Sequence, residues 1–488
     1  MSAFSLNRLA LACLGSSCLL LSACGTDTAA VSGTLAVGDT AADGSANLAN
    51  DAGTAQDSDG SADNSSGSAD DVAVDAGQAD TGPEDTGPFV EAKHTNPPKI
   101  GYNGAGLLIQ PSIVTVTFPG EKNLNALVQF GATIGQSDYW KSVTSEYCEV
   151  PGSGLCIGPA VDGGHVELKN PPAKSYTDST DGSPSSIQDF IAGEIDNADL
   201  PAPVTDTLYI LYFPKSTTIS LASGQGAPSV SCVAFGGYHH FLTYKGQQVA
   251  YAIIPECGSH GGGVSAFDSQ TVAASHEIIE AATDPFMAAS GMDLQAGVVL
   301  MPQSTVQLMW YMFLQGGEVG DLCVDMTGQG VDLTSMGSYT VQRSWSDAAA
   351  QSGHDPCQPS PEGSIYFNAS PDKGKGYGVL DVGQTTTFSV TAFSDAPLPD
   401  GWTLRAGDIA DIAQGMGMKS HMSMQVNGQD QVTVHNGDQV DVTVTMDVDP
   451  GKSQPGAFGV LLSTAPDGKT YHFWPLWFFT KAEQKMGL

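Results

Sequence analysis

The chain has 488 residues and a formal net charge of -35, from 53 acids against 18 bases. That balance excludes a nucleic-acid binder, which needs a basic face to neutralise phosphates, and it excludes charge-driven adhesion to anionic lipid. Length alone predicts about three domains of roughly 150 residues each, but composition changes sharply along the chain.

Residues 1–23 read as a lipoprotein signal peptide. Arg8 supplies the positive start, Leu9 to Leu21 form an apolar run too short to span a bilayer, and the run closes on Leu21-Ser22-Ala23-Cys24. This order of apolar run, small residues and Cys is that of a bacterial lipobox, so Cys24 is expected to carry the lipid and to anchor the chain in a membrane. Gly25 follows Cys24 where an Asp would favour inner-membrane retention, and the expected location is therefore the outer membrane of the cell envelope.

Residues 24–95 are low in complexity. From residue 25 they hold twelve Asp with Glu84 and Glu91, against the single base Lys93. A segment this polar cannot bury enough apolar area to offset its chain entropy, so a disordered acidic tether is expected here, with a reach on the order of 45 Å.

Two domains are expected beyond it, 96–358 and 362–488. The first contains all six remaining cysteines, Cys148, Cys156, Cys232, Cys257, Cys323 and Cys357. An even number in an exported chain predicts three disulfides, and sequence proximity favours 148–156, 232–257 and 323–357.

The first domain reads as α/β. The β-branched run Ser112 to Phe118 lies between Pro111 and Pro119 and predicts a strand, Leu124 to Ile134 has helical spacing, and the apolar run Thr207 to Phe213 predicts a buried central strand. Gln248 to Ile254 predicts another strand. Ser269 to Thr283 predicts a helix capped by Asp268 or Ser269 and stopped by Pro285.

That helix carries His276-Glu277-Ile278-Ile279-Glu280. Positions 276 and 280 are four apart and share one face. The spacing is that of H-E-x-x-H zinc hydrolases, in which two ligands line one face and the Glu is the general base that activates water. Here Glu280 replaces the second His. A carboxylate still ligates zinc, but it leaves the ion less positive and the water less acidified. Glu277 is the expected base, and His276 and Glu280 are the expected ligands. Glu318 is the expected third ligand, with Asp321 next and then His239 or His240; Asp284, eight residues after His276, lies along the same face. No P-loop, dinucleotide fingerprint or G-x-S-x-G elbow is present.

Several segments from residue 102 to 357 also resemble, as a set, the plant Exordium-type phosphate-induced proteins and their bacterial relatives. They are Tyr102-Asn103-Gly104, Ser137-Asp138-Tyr139-Trp140, Gly237-Tyr238-His239, Val249-Ala250-Tyr251, Ser275-His276-Glu277 with Glu280-Ala281 and Asp284-Pro285, Glu318-Val-Gly-Asp321-Leu-Cys323, and Tyr339-Thr-Val-Gln342 with Trp345-Ser346. The resemblance implies a secreted, disulfide-bearing, zincin-like domain with its metal at His276, Glu280 and the 318–321 segment. The plant members are associated with growth responses in the cell wall; the tether and the C-terminal domain set this chain apart from them.

The second domain reads as all-β. Thr385 to Phe393, Gln431 to His435, Gln439 to Met446 and Ala457 to Ser463 alternate, and Asn436-Gly437-Asp438 marks a tight turn. Short strands at this spacing predict an immunoglobulin-like sandwich. The aromatic run Tyr471 to Phe479 is expected as a packed terminal strand rather than an exposed binding strip.

Two functions follow as expectations. One is a surface-tethered, zinc-dependent hydrolase acting on peptide bonds. The other is a non-catalytic protein whose zincin-like scaffold binds a cell-wall polymer or a partner.

Overall fold

The computed structural model describes residues 88–488 apart from 150–153, 180–184, 222–228, 260–263, 287–296, 301, 315–316, 326–329, 413–418, 452–455 and 486–488. The expected signal peptide, Cys24 and the expected tether up to residue 87 lie outside the described residues. The last residues assigned to the tether do not hang free. Asn436 Nδ2 donates to the Val90 carbonyl, Ala92 N–H donates to Asn436 Oδ1, and the His94 ring stacks on Phe393 at 3.5 Å. Polar anchors and one ring contact therefore bind this stretch to the sandwich ahead of residue 96.

The centre of the first half is a five-stranded sheet. Its order across is Val161–Glu167, Ser112–Thr117, Thr207–Phe213, Gln247–Pro255 and Tyr238–Tyr244, parallel except for the last strand, which pairs antiparallel on the edge. The expected central strand Thr207–Phe213 is buried at every position, as required of a parallel strand covered on both faces. Its side chains divide by alternation. Leu208, Ile210 and Tyr212 enter one core with helices Leu124–Ile134 and Ala266–Thr283, whereas Tyr209, Leu211 and Phe213 enter a second core with helix Ile187–Asp196.

The helix that carries the H-E-x-x-E pattern starts earlier than expected, at Ala266, and runs to Thr283. Its cap is Ser265, whose Oγ accepts the Asp268 N–H at 3.1 Å and donates to Asp268 Oδ2 at 2.6 Å. The S-x-x-D spacing explains why the start moved: Asp268 is the third residue of the first turn, and its carboxylate accepts the Ser265 hydroxyl instead of capping. The helix is buried on the sheet side through Ala274, Ile278, Ala281 and Ala282 and on the opposite side against strand Tyr339–Gln342.

All three cysteine pairs favoured by proximity are bonded: Cys148–Cys156, Cys232–Cys257 and Cys323–Cys357.

The second half is a two-sheet β-sandwich. One sheet has the order Phe367–Pro371, Thr385–Ser394, Gln439–Met446, Met422–Val426; the other has Tyr377–Val379, Tyr471–Phe479, Ala457–Thr464, Trp402–Asp408, Gln431–Val434. The aromatic run Tyr471–Phe479 is an inner strand with Trp474, Leu476 and Trp477 fully buried, so its apolar side chains are core. One apolar cluster runs from Ile278 and Val319 through Trp345 to Trp474. Helix Thr305–Leu314 seals it, with the Trp310 ring 5.3 Å from Trp345 and 5.9 Å from Trp474. From Phe89 onward the chain forms one compact unit. Among the described residues, no helix is long and apolar enough to cross a membrane.

Candidate metal centre

The 266–283 helix, the edge strand Tyr238–Tyr244 and the 317–323 segment bring seven titratable side chains together: His239, His276, Glu277, Glu280, Asp284, Glu318 and Asp321. Five are carboxylates. Glu277, Glu280, Asp284 and Glu318 are all buried. Buried charge is costly unless it is paired, hydrogen-bonded or coordinated, so the arrangement has to be held by the surroundings.

The 317–323 segment is held on three sides. Gly317 O accepts from Leu300 N–H, Val319 O accepts from Trp345 N–H, and Cys323 is bonded to Cys357. It approaches the helix so closely that a Cβ at Gly320 would lie 2.7 Å from both Glu280 Oε1 and His276 Nδ1. The close approach lets two backbone N–H groups, of Gly320 at 3.0 Å and Asp321 at 3.1 Å, donate to Glu280 Oε1. Glu280 Oε2 is left facing His276 Nε2 at 2.9 Å.

His276 is fixed at its other nitrogen. Gln342 Nε2 donates to Gly320 O at 2.9 Å, which turns Gln342 Oε1 toward His276 Nδ1 at 3.0 Å. An amide oxygen only accepts, so Nδ1 carries a hydrogen and Nε2 is turned to Glu280 and to Asp321 Oδ1, 3.7 Å away. His276 Nε2, one Glu280 oxygen and one Asp321 oxygen lie within 4.8 Å of one another. A ring nitrogen held by an outer acceptor while the inner one meets carboxylates is the arrangement of metal-binding histidines.

His239 repeats it from the strand. Its Nε2–H donates to the Asp284 carbonyl at 3.1 Å, and Nδ1 faces Glu277 Oε2 at 3.3 Å and Glu280 Oε2 at 3.8 Å. His239, Glu277 and Glu280 form a second group within 4.8 Å. Strand alternation decides between the paired histidines. His239 pairs with Ala252, whose side chain lies in the core under the 266–283 helix, whereas His240 pairs with Tyr251 on the opposite face. His240 stacks on Phe241, and its Nδ1 contacts the Phe241 carbonyl; it stays out of the cluster.

Glu318 sits on the His239 side, with Oε2 3.6 Å from His239 Nε2 and no hydrogen-bond partner among the described residues. Asp284 Oδ1 accepts the Gly297 N–H at 2.8 Å while its buried Oδ2 has none. Asp321 is the carboxylate placed beside both His276 and Glu280.

Electrostatics follow from this crowding. Burial alone would lower His276, but Glu280, Glu277 and Asp321 outweigh it and raise the imidazole well above its ordinary value. His239 is raised in the same way, burial being overcome by Glu277, Glu280 and Asp284. Burial drives Glu318 well above the usual carboxylate range, and Glu280, Asp321 and Asp284 push it further. Glu280 moves down: burial opposes, but His276 and His239 dominate. Asp321 is pushed up to about 7 by desolvation and by Glu280, against His276; its side chain is 37% exposed, so solvent moderates that shift. The donor set fits a divalent first-row cation: imidazole and carboxylate ligands, a surplus of buried negative charge, and a partnerless carboxylate oxygen facing the cluster.

Sequence reasoning did not assign Gln342 a role. The signal available was strand alternation in Tyr339–Gln342, which turns Gln342 to the same side as Thr340, whose Oγ1 donates to Asp268 Oδ1 on the helix.

No protein-family model matches this chain, and no curated protein matches it in sequence. Among solved structures it is similar to the crystal structure of the S-layer protein SbsC domains 4 and 5, at 15% identity and a TM-score of 0.15, over 24% of this chain and 45% of that one.

Proposed function

We propose that this chain is a lipid-anchored envelope metalloprotein that hydrolyses peptide bonds, with zinc held by His276, Glu280 and Asp321. The observation that carries this reading is the Gln342 contact, which turns His276 Nε2 onto two carboxylates. In this reading the first half is zincin-like and a relative of the Exordium-type proteins, the sandwich is immunoglobulin-like, and Cys24 carries the lipid in the outer membrane.

Bound zinc supplies Lewis acidity, which polarises a carbonyl and eases loss of a proton from water. The chain's own residues do the rest. Glu277, the neighbour of His276 in the helix, takes the proton of the attacking water and returns it to the leaving amine. The Gly320 and Asp321 N–H groups hold Glu280 in place, and Gln342 holds the His276 ring. Asp321, the most exposed of the three ligands, marks the side from which substrate enters.

A second reading has its own support. Glu277 Oε2 lies 3.3 Å from His239 Nδ1, and a carboxylate paired in this way is a poorer base. The site would then be structural, and the protein would bind a cell-wall polymer.

The test is metal analysis of the purified full chain, with peptide cleavage by wild type and Glu277→Gln. The hydrolase reading expects at least one tightly held zinc in both, and cleavage by wild type alone that a chelator abolishes. A metal-bound wild type that cleaves nothing favours the wall-binding reading, and a wild type that takes up no metal contradicts both metal assignments.

A further inference from the structure

His239, Glu277 and Glu280 are not consumed by the first ion as a set. We propose that they form a second divalent-cation site that shares Glu280 with the first, and that filling it withdraws Glu277 from proton transfer. The inference rests on the proposed first site and adds regulation to it: one ion activates, and a second silences the base.

Three observations carry it. The first is tautomeric. A backbone carbonyl only accepts, so the contact of His239 Nε2 with Asp284 O puts the hydrogen on Nε2. Nδ1, the other ring nitrogen, faces Glu277 Oε2 at 3.3 Å and Glu280 Oε2 at 3.8 Å. A ring nitrogen and two carboxylate oxygens converge on a position that has to be filled by a proton or a cation.

The second is an orphaned oxygen. Glu318 is 8% exposed, yet its Oε2 has no hydrogen-bond partner among the described residues and lies 3.6 Å from the His239 ring. It adds an unsatisfied carboxylate oxygen on the Nε2 side of the His239 ring, beside the proposed triad.

The third is the sharing of Glu280. Its Oε1 is fixed by the Gly320 and Asp321 N–H groups, and its Oε2 belongs to both triads, with His276 and Asp321 on one side and His239 and Glu277 on the other. A carboxylate common to two donor sets is how paired-cation sites are built. One His with two carboxylates suits zinc, cobalt or manganese.

When the second ion binds, Glu277 Oε2 is a ligand and no longer accepts the proton of water. Gly237 packs against the other oxygen: a Cβ there would lie 3.0 Å from Glu277 Oε1.

The experiment is zinc titration of the purified full chain by calorimetry, with metal content measured after desalting. Wild type, His239→Ala and His276→Ala are compared, and circular dichroism checks each fold. The proposal expects two zinc ions per wild-type chain and one in each variant, the weaker binding event being lost in His239→Ala. If His239→Ala does not fold, His239→Gln takes its place. A wild type that saturates at one zinc, with one retained in His239→Ala, overturns the second site and leaves the first standing. Two ions retained in His239→Ala also overturn it, because the second ion then sits elsewhere. No zinc in wild type overturns both.

Discussion

Gln342 Oε1 lies 3.0 Å from Nδ1 of His276, and the same amide donates to the Gly320 carbonyl at 2.9 Å. One side chain thereby fixes the tautomer of the helix histidine and ties it to the segment that carries Asp321. Gln342 is 3% exposed, so water does not substitute for either contact.

Gln342→Ala is expected to weaken zinc binding about 10- to 100-fold, as loss of an outer partner does elsewhere. It also removes one of two donors to the Gly320 carbonyl, which keeps the Cys323 N–H at 3.0 Å, at a cost of about 0.5–1.5 kcal/mol. Calorimetric titration beside a thermal melt separates the two effects. Unchanged zinc affinity in a folded Gln342→Ala would remove Gln342 from the site.

Gly320→Ala is expected to destabilise the fold by about 1–3 kcal/mol through overpacking. The backbone at Gly320 is ordinary helical; the demand is for space, because the added Cβ would meet Glu280 and His276 at 2.7 Å. Relief requires the segment to lift from the helix, which removes both N–H donors from Glu280. Lower melting temperature together with lost zinc binding is the expected result, and a melt within experimental error of wild type would contradict the close approach.

The disulfide that anchors this segment, Cys323–Cys357, closes a loop with a sequence separation of 34. Chain-entropy arguments give such a loop about 3–4 kcal/mol. The paired Cys323→Ser, Cys357→Ser variant is expected to lose that much by denaturant titration and to hold zinc more weakly. Loss of stability with unchanged zinc binding would mean the Leu300 and Trp345 hydrogen bonds suffice to hold the segment.

Away from the site, Asp347 accepts the Ile100 N–H at 2.7 Å. Burial first, then Glu146, pushes its carboxyl up to about 7, against the Ile100 hydrogen bond and Lys99. The folded chain therefore keeps a proton that the unfolded chain releases near its ordinary value. The stability this group contributes is present below pH about 4 and is lost as pH rises through about 7. Asp347→Asn keeps the acceptor and cannot ionise, so it is expected to gain on wild type between pH 5 and pH 8, on the order of 1–3 kcal/mol. Parallel melting curves across that range would contradict the shift.

Much of this was legible before the fold. The run Thr207–Phe213 is apolar at nearly every position because both of its faces are covered, and the i, i+4 spacing of His276 and Glu280 places them on one face whatever surrounds the helix. The cysteine pairs followed from proximity in the chain. The choice between His239 and His240 was not legible, because a strand's alternation fixes that neighbours diverge but not which of them faces the helix; the pairing with Ala252 supplies that. Asp321 rather than Glu318 stands beside His276 for a similar reason. The short helical turn Asp321–Cys323 follows a backbone drawn onto Glu280, and no spacing rule encodes that approach. Gln342 acts across 66 residues of sequence, a contact that only the tertiary fold creates.

The most direct test of the central claim is anomalous diffraction at the zinc edge from crystals of the full chain grown with zinc. The account predicts an anomalous peak bonded to His276 Nε2, Glu280 and Asp321, and its loss in His276→Ala crystals. Crystals grown with zinc that show no peak within bonding reach of His276 Nε2 would contradict it.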